Sequence, residues 1–294
     1  MDSQGKPWRP PWCSSQRYTS VIHAMPIARH RLSRLATIVA AGALIICAFT
    51  PSPYVIREEG PAYDVLGTVT DEGQTETKTV LDITGAPTYP TTGSLYMLTV
   101  RVLGSPRAQP NWVQTASAWV DPTRTVLPLD AVYPPGQTFD DQERETTEQM
   151  TTSQQAAVDA ALNHLGLEDA ESKPQVQISL DKVGGPSAGM MFSLGIIDKL
   201  TPGSMTGGET IAGTGTIDAA GHVGPIGGIR QKVLTARDHG APWFLAPEAN
   251  CAELAGGIPD SVTVVSVASL DDALHALDTI STTKSVAGLP QCAR

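Results

Sequence analysis

Gly184-Gly185-Pro186-Ser187-Ala188-Gly189, continued over 190–200 as MMFSLGIIDKL, is the stretch on which the reading of the fold turns. It joins a strand-like run at 175–180 (QVQISL) to an apolar helix expected over 186–200. The glycines permit a tight turn and leave room beside Ser187. A serine at a helix N-terminus sits among unpaired amides and the positive dipole end, where an oxyanion can be held. An ordinary N-cap serine fits the same position. Outward from this point the chain reads as strand 209–217, helix 228–239, strands 243–246 and 262–267, and a last helix at 270–277. Such alternation indicates an α+β domain of α/β type with its own core.

The second informative stretch is Gly224-Pro225-Ile226-Gly227-Gly228-Ile229-Arg230-Gln231-Lys232, which opens the helix at 228–239. Lys232 follows Ser187 by 45 residues and has Ile229, Val233 and Leu234 as neighbours. A lysine turned toward an apolar interior loses hydration, its pKa falls, and the neutral amine can serve as general base. A solvated lysine on an amphipathic helix is the plainer alternative. Residues 185–189 also fit G-x-S-x-G, the strand-to-helix elbow of α/β-hydrolases, with His222, His239 and His275 downstream. Only 107 residues follow Ser187, few for the remainder of that fold. None of the six histidines has metal-ligand spacing, so neither a metal nor another cofactor is expected.

Together, GGPSAG and PIGGIRQK resemble the nucleophile and lysine motifs of the Lon proteolytic domain, a Ser–Lys dyad family. The resemblance implies Ser187 as nucleophile and Lys232 as base. Gly185, Pro186 and Ala188 then surround the oxyanion position, and Thr214 helps to hold the lysine. The intervening TGGETIAGTGTIDAAGHVGPIGG and the PEANC turn at 247–251 are similar to the same family, over about 140–280. A frequent acidic position three before the serine is Gly184 here, and no G-x-x-x-x-G-K-[ST] phosphate loop occurs in the chain. GPAYDVLG and TGSLYMLTV are similar to membrane-anchored, ATPase-free members. Those members carry a PDZ domain for which the interval after Gly166 leaves no room.

Upstream, an acidic start and helical spacing of Met150, Ala157, Val158, Ala161, Leu162 and Leu165 predict a helix over 140–165. Residues 57–139 read as a β-rich segment whose clearest strand is Ser94–Leu103. Residues 35–56 are uncharged, and 22 residues suffice for the roughly 30 Å hydrocarbon core. Six basic residues precede this run, so 1–34 is expected in the cytoplasm, 35–56 as a single-pass anchor in the cell membrane, and the rest outside. A cleavable signal peptide and a buried core helix are the alternatives. The tail at 281–294 carries no pattern, and a Cys251–Cys292 bridge that ties it down competes with two unpaired thiols.

A net charge of −10 argues against nucleic acid as partner, since phosphate binding needs basic surface. The expected function is an ATP-independent, membrane-anchored serine endopeptidase acting on protein or peptide substrates. Family analogy implies a homo-oligomer, a hexamer. A silent scaffold with the same fold and a Ser–His esterase or acylase are the competing functions.

Overall fold

The computed structural model describes residues 27–70, 76–168, 173–180 and 183–294. The chain divides into two units between Ala48 and Phe49. In the first unit the described element is α1 (Ile27–Ala48). Arg29, Arg31 and Arg34 fall in its first turns, which leaves 14 uncharged residues before its end. At 1.5 Å per residue these extend about 21 Å, short of a roughly 30 Å core. Among the described residues no helix is long and apolar enough to cross a membrane. The run expected as one span over 35–56 is therefore not a single helix, since α1 ends at Ala48. The last residues of the run, Tyr54 to Ile56, open a strand in which Val55 and Ile56 are buried. Pro51 and Pro53 are the physical reason, because neither supplies the N–H that a continuing helix needs.

The second unit begins with β1 (Tyr54–Asp64), β2 (Thr68–Thr70), β3 (Thr77–Thr79), β4 (Leu81–Thr84) and β5 (Ser94–Leu103). Next come α2 (Trp112–Val120), β6 (Thr125–Pro128), α3 (Leu129–Val132) and α4 (Phe139–His164). Then follow β7 (Gln175–Ile178), α5 (Gly189–Leu200), β8 (Thr210–Gly213), β9 (Thr216–Ile217), β10 (Val223–Gly224) and α6 (Ile229–Asp238). The chain closes with β11 (Trp243–Pro247), α7 (Cys251–Leu254), β12 (Thr263–Val267) and α8 (Leu270–Thr283). This is the mixed α/β architecture expected, although β7 pairs with β4 rather than joining the central sheet.

The central sheet has the order β12-β11-β8-β5-β1-β6. Its first four strands run parallel, and β1 pairs antiparallel with both β5 and β6. Strands from both sides of residue 140 thus share one sheet, across the boundary drawn between a β-rich segment and a proteolytic domain. Successive side chains of a strand face opposite sides. Leu95 and Met97 accordingly join one core cluster with α4, α5 and α8, and Tyr96 and Leu98 join another with α6 and α7. Residues 189–198 of α5 are all buried, packed against α4, β5 and α8. The acidic start of α4 has a local cause: Thr138 and Asp141 form a reciprocal capping box.

The register of β1 against β5 shifts between Glu59 and Ala62, where Gly60 and Pro61 stand. Proline cannot donate to the ladder, so the strand bulges there. The tail, without pattern in the sequence, is tied down as the bridge alternative expected. Val286, Leu289 and Cys292 are buried, Gln291 bridges to Val265, and Cys292 is joined to Cys251 by a disulfide.

Candidate active site

The loop before α5 is held from three directions. The Gly185 N–H donates to the Thr146 carbonyl of α4 at 2.9 Å, with Gly185 at φ +86°. Ser153 Oγ donates to the Pro186 carbonyl at 2.9 Å. The Ser187 carbonyl accepts from the Gly215 N–H and from Thr214 Oγ1, each at 2.9 Å. The N-cap of α5 is Ala188, and it makes no side-chain cap. The Ser187 hydroxyl is therefore not a helix cap. It faces a cleft of about 390 Å³.

Lys232 reaches the same cleft from the first turns of α6. The N-cap of that helix, Gly228, is left-handed at φ +74°, and a Cβ there would lie 2.7 Å from Val100 Cγ1 and 3.0 Å from Arg57 Cδ. Only glycine fits both the backbone angle and the space. Asn250 fixes the preceding loop, accepting from the Ile226 N–H and donating to its carbonyl, both at 2.9 Å. The Lys232 side chain is 1% exposed. Its Nζ lies 2.7 Å from Ser187 Oγ and 2.8 Å from Thr214 Oγ1. Burial first, and the Arg57 guanidinium second, bring its pKa down from 10.5 to about 7. Near neutral pH a large share of this amine is unprotonated and able to accept the serine proton.

Ser187, Lys232 and Thr214 come together as one hydrogen-bonded group. Gly185 and Pro186 do not supply oxyanion donors. The amide of Gly185 is already given to Thr146, and proline has no N–H. The amides of Ser187 and Ala188 are what the loop can offer. The histidines serve elsewhere: His222 pairs with Asp218 at 2.8 Å, and His239 Nδ1 lies against the Thr235 carbonyl at 2.9 Å. Among the described residues no group of three or more His, Cys, Asp or Glu could hold a metal. Sequence reasoning missed Arg57, Thr99 and Arg101, which line the cleft from β1 and β5. They lie about 85 to 130 residues before Ser187, and nothing in their local pattern distinguishes them from solvated strand residues.

A buried lysine within hydrogen-bond reach of a loop serine, in an open cleft of a mixed α/β domain, defines the Ser–Lys class of serine peptidase domain. The model of the Lon protease (S16) C-terminal proteolytic domain matches residues 113–278, and the chain belongs to that family. Among curated relatives, a Lon protease of Azorhizobium caulinodans is 38% identical over 95 residues, which is 31% of this chain and 11% of the relative. One of Rickettsia felis is 37% identical over 97 residues, 32% of this chain and 12% of the relative. One of Azospirillum brasilense is 32% identical over 178 residues, 56% of this chain and 22% of the relative. The chain thus spans only a small fraction of the length of these relatives.

Proposed function

We propose that this protein is a serine endopeptidase that hydrolyses peptide bonds of proteins with Ser187 as nucleophile and Lys232 as base. The observation that carries the reading is the 2.7 Å approach of Lys232 Nζ to Ser187 Oγ inside a cleft, with the lysine pKa near 7. Neutral Lys232 takes the hydroxyl proton as Oγ attacks the scissile carbonyl carbon. The resulting oxyanion is met by the Ser187 and Ala188 amides. Lys232 then delivers its proton to the leaving amine, which departs and leaves an acyl-serine. Water attacks that ester with Lys232 again as base, and the returned proton restores the serine. Thr214 Oγ1 accepts an N–H of Lys232 Nζ, which keeps Nζ aimed at Oγ.

The reaction is proposed to run without ATP, in keeping with the lack of a phosphate-loop motif in this chain. Oligomeric assembly belongs to the proposal by family analogy alone. Attachment to a membrane with the peptidase outside is also part of the proposal. Ile38, Val39, Leu44, Ile45 and Ile46 of α1 are exposed. In the second unit Tyr54, Trp112 and Trp119 form one aromatic cluster, with ring centroids 5.4 to 6.3 Å apart. It stands where that unit's chain begins, beside the bridge of Pro51 to Asn111. Aromatics of this kind favour the water–lipid boundary. A disulfide fits an oxidising, exported setting.

The test uses the full chain and a fluorescently labelled unfolded protein, without nucleotide. Ser187→Ala and Lys232→Arg should each abolish cleavage, since arginine keeps its proton at any working pH. Cleavage by Lys232→Arg at the parent rate would overturn the mechanism.

A further inference from the structure

The charges of the cleft are unlike those of the chain. The chain carries 30 acidic against 20 basic residues, yet among the described residues the ionisable side chains lining the cleft are Arg57, Arg101 and Lys232. Arg101 is satisfied by Glu58 at 3.5 Å. Arg57 is different. Its Nε is buried and has no hydrogen-bond partner. Glu253, the acidic group that acts on it, has its own carboxylate engaged by Asn250 Nδ2 at 2.6 Å. Both terminal nitrogens of Arg57 lie over Gly227, where a Cβ would stand 3.6 and 3.7 Å from them. Gly227 thus packs against the guanidinium at close range without a side chain of its own.

Partly burying a guanidinium beside a second cation is costly unless an anion compensates. A carboxylate is the natural complement, because its two oxygens match the fork of the guanidinium donors. The cleft also holds Ser187, so a carboxylate bound at Arg57 would belong to a substrate already seated for attack. We infer that Arg57 forms a carboxylate-binding subsite of this cleft, which selects peptides bearing an acidic group close to the scissile bond. The inference rests on the peptidase reading and adds a substrate class to it. The carboxylate can come from an Asp or Glu side chain or from the C-terminus of the peptide itself. These sources share the same chemistry.

The experiment digests a random-sequence peptide library with the full chain and maps the cleavage sites by mass spectrometry. One library has free C-termini, and the other is C-terminally amidated. Asp and Glu should be enriched roughly tenfold at one position beside the cleaved bond in both libraries, the scale of one hydrogen bond to a charged group. If the C-terminal carboxylate is the ligand instead, cuts should cluster at a fixed distance from the end of the free peptides and disperse in the amidated ones. In Arg57→Gln the preference should fall to near parity. In Arg57→Lys, which guards against a Gln variant that fails to fold, part of it should persist. The preference rather than the rate is read, so an altered Lys232 affects all sites alike. Cleavage without acidic or end preference, or a preference unchanged in Arg57→Gln, would overturn the subsite and leave the peptidase standing. No cleavage of either library by the parent chain would overturn both.

Discussion

Replacing Lys232 with Met should stabilise the fold in acid and lose that advantage as the pH rises. A lysine held at about 7 instead of 10.5 carries a penalty of about 5 kcal/mol for its charged form, at about 1.36 kcal/mol per pH unit. The side chain is 1% exposed, so solvent screening removes little of this. Below about pH 7 the lysine is protonated in both folded and unfolded chains, and the folded state bears the full penalty. Between about 7 and 10.5 the unfolded chain holds a proton that the folded chain has released, so stability rises with pH. Above that window both states are neutral and the dependence ends. Methionine has similar volume and no charge, and every other titrating group is common to both proteins. Urea unfolding of the two full chains, followed by tryptophan fluorescence, should therefore show the Met variant's advantage shrinking by about 2 kcal/mol from about pH 7 to about pH 9. A difference that stays flat over that interval would mean an ordinary lysine pKa and would refute the reasoning.

Cys292→Ser should cost about 4 kcal/mol, because the bridge closes a loop with a sequence separation of 41. That corresponds to a melting temperature lower by about 10 °C in a scanning calorimeter, reproduced in the parent protein by reductant. Trp112→Ser combined with Trp119→Ser should weaken flotation of the full chain with anionic lipid vesicles severalfold, while peptide hydrolysis in solution is retained. Unchanged flotation would remove the aromatic cluster from the membrane reading.

Much of the second unit was legible because its signals are local. The alternation of Ser94–Leu103 matched β5 to the residue, and the helical spacing after 140 marked α4 within a residue at each end. The serine and lysine motifs were legible for the same reason, since each is a turn followed by a helix start. Pairing was not. Nothing local in QVQISL says that β7 lies beside β4, and nothing in YVIREEG says that β1 lies between β5 and β6. The apolar run at 35–56 overran the end of α1 because a hydrophobic count does not distinguish a helix from the first residues of a buried strand. Pro51 and Pro53 were the available signal. Helix α2 escaped because its large apolar residues, Trp112, Val113, Trp119 and Val120, are exposed, whereas the amphipathic reading looks for a buried stripe. The tail lacked periodicity because a disulfide and a few packed side chains hold it, rather than regular structure.

The parallel pairing of β5 with β8 sets Ser94 opposite Thr210, a separation of 116 residues along the chain. Such distant contacts form late, because loop closure must precede the interactions that stabilise it. The site inherits that order. Arg57 comes from the first strand of the sheet, Ser187 from a loop pinned on α4, Thr214 from the end of β8, and Lys232 from the helix after it. A cut near residue 140 would part Arg57 from Ser187, Thr214 and Lys232, which all follow it. The complete cleft, Arg57 included, thus exists only in a chain whose β1 has taken its place beside β5.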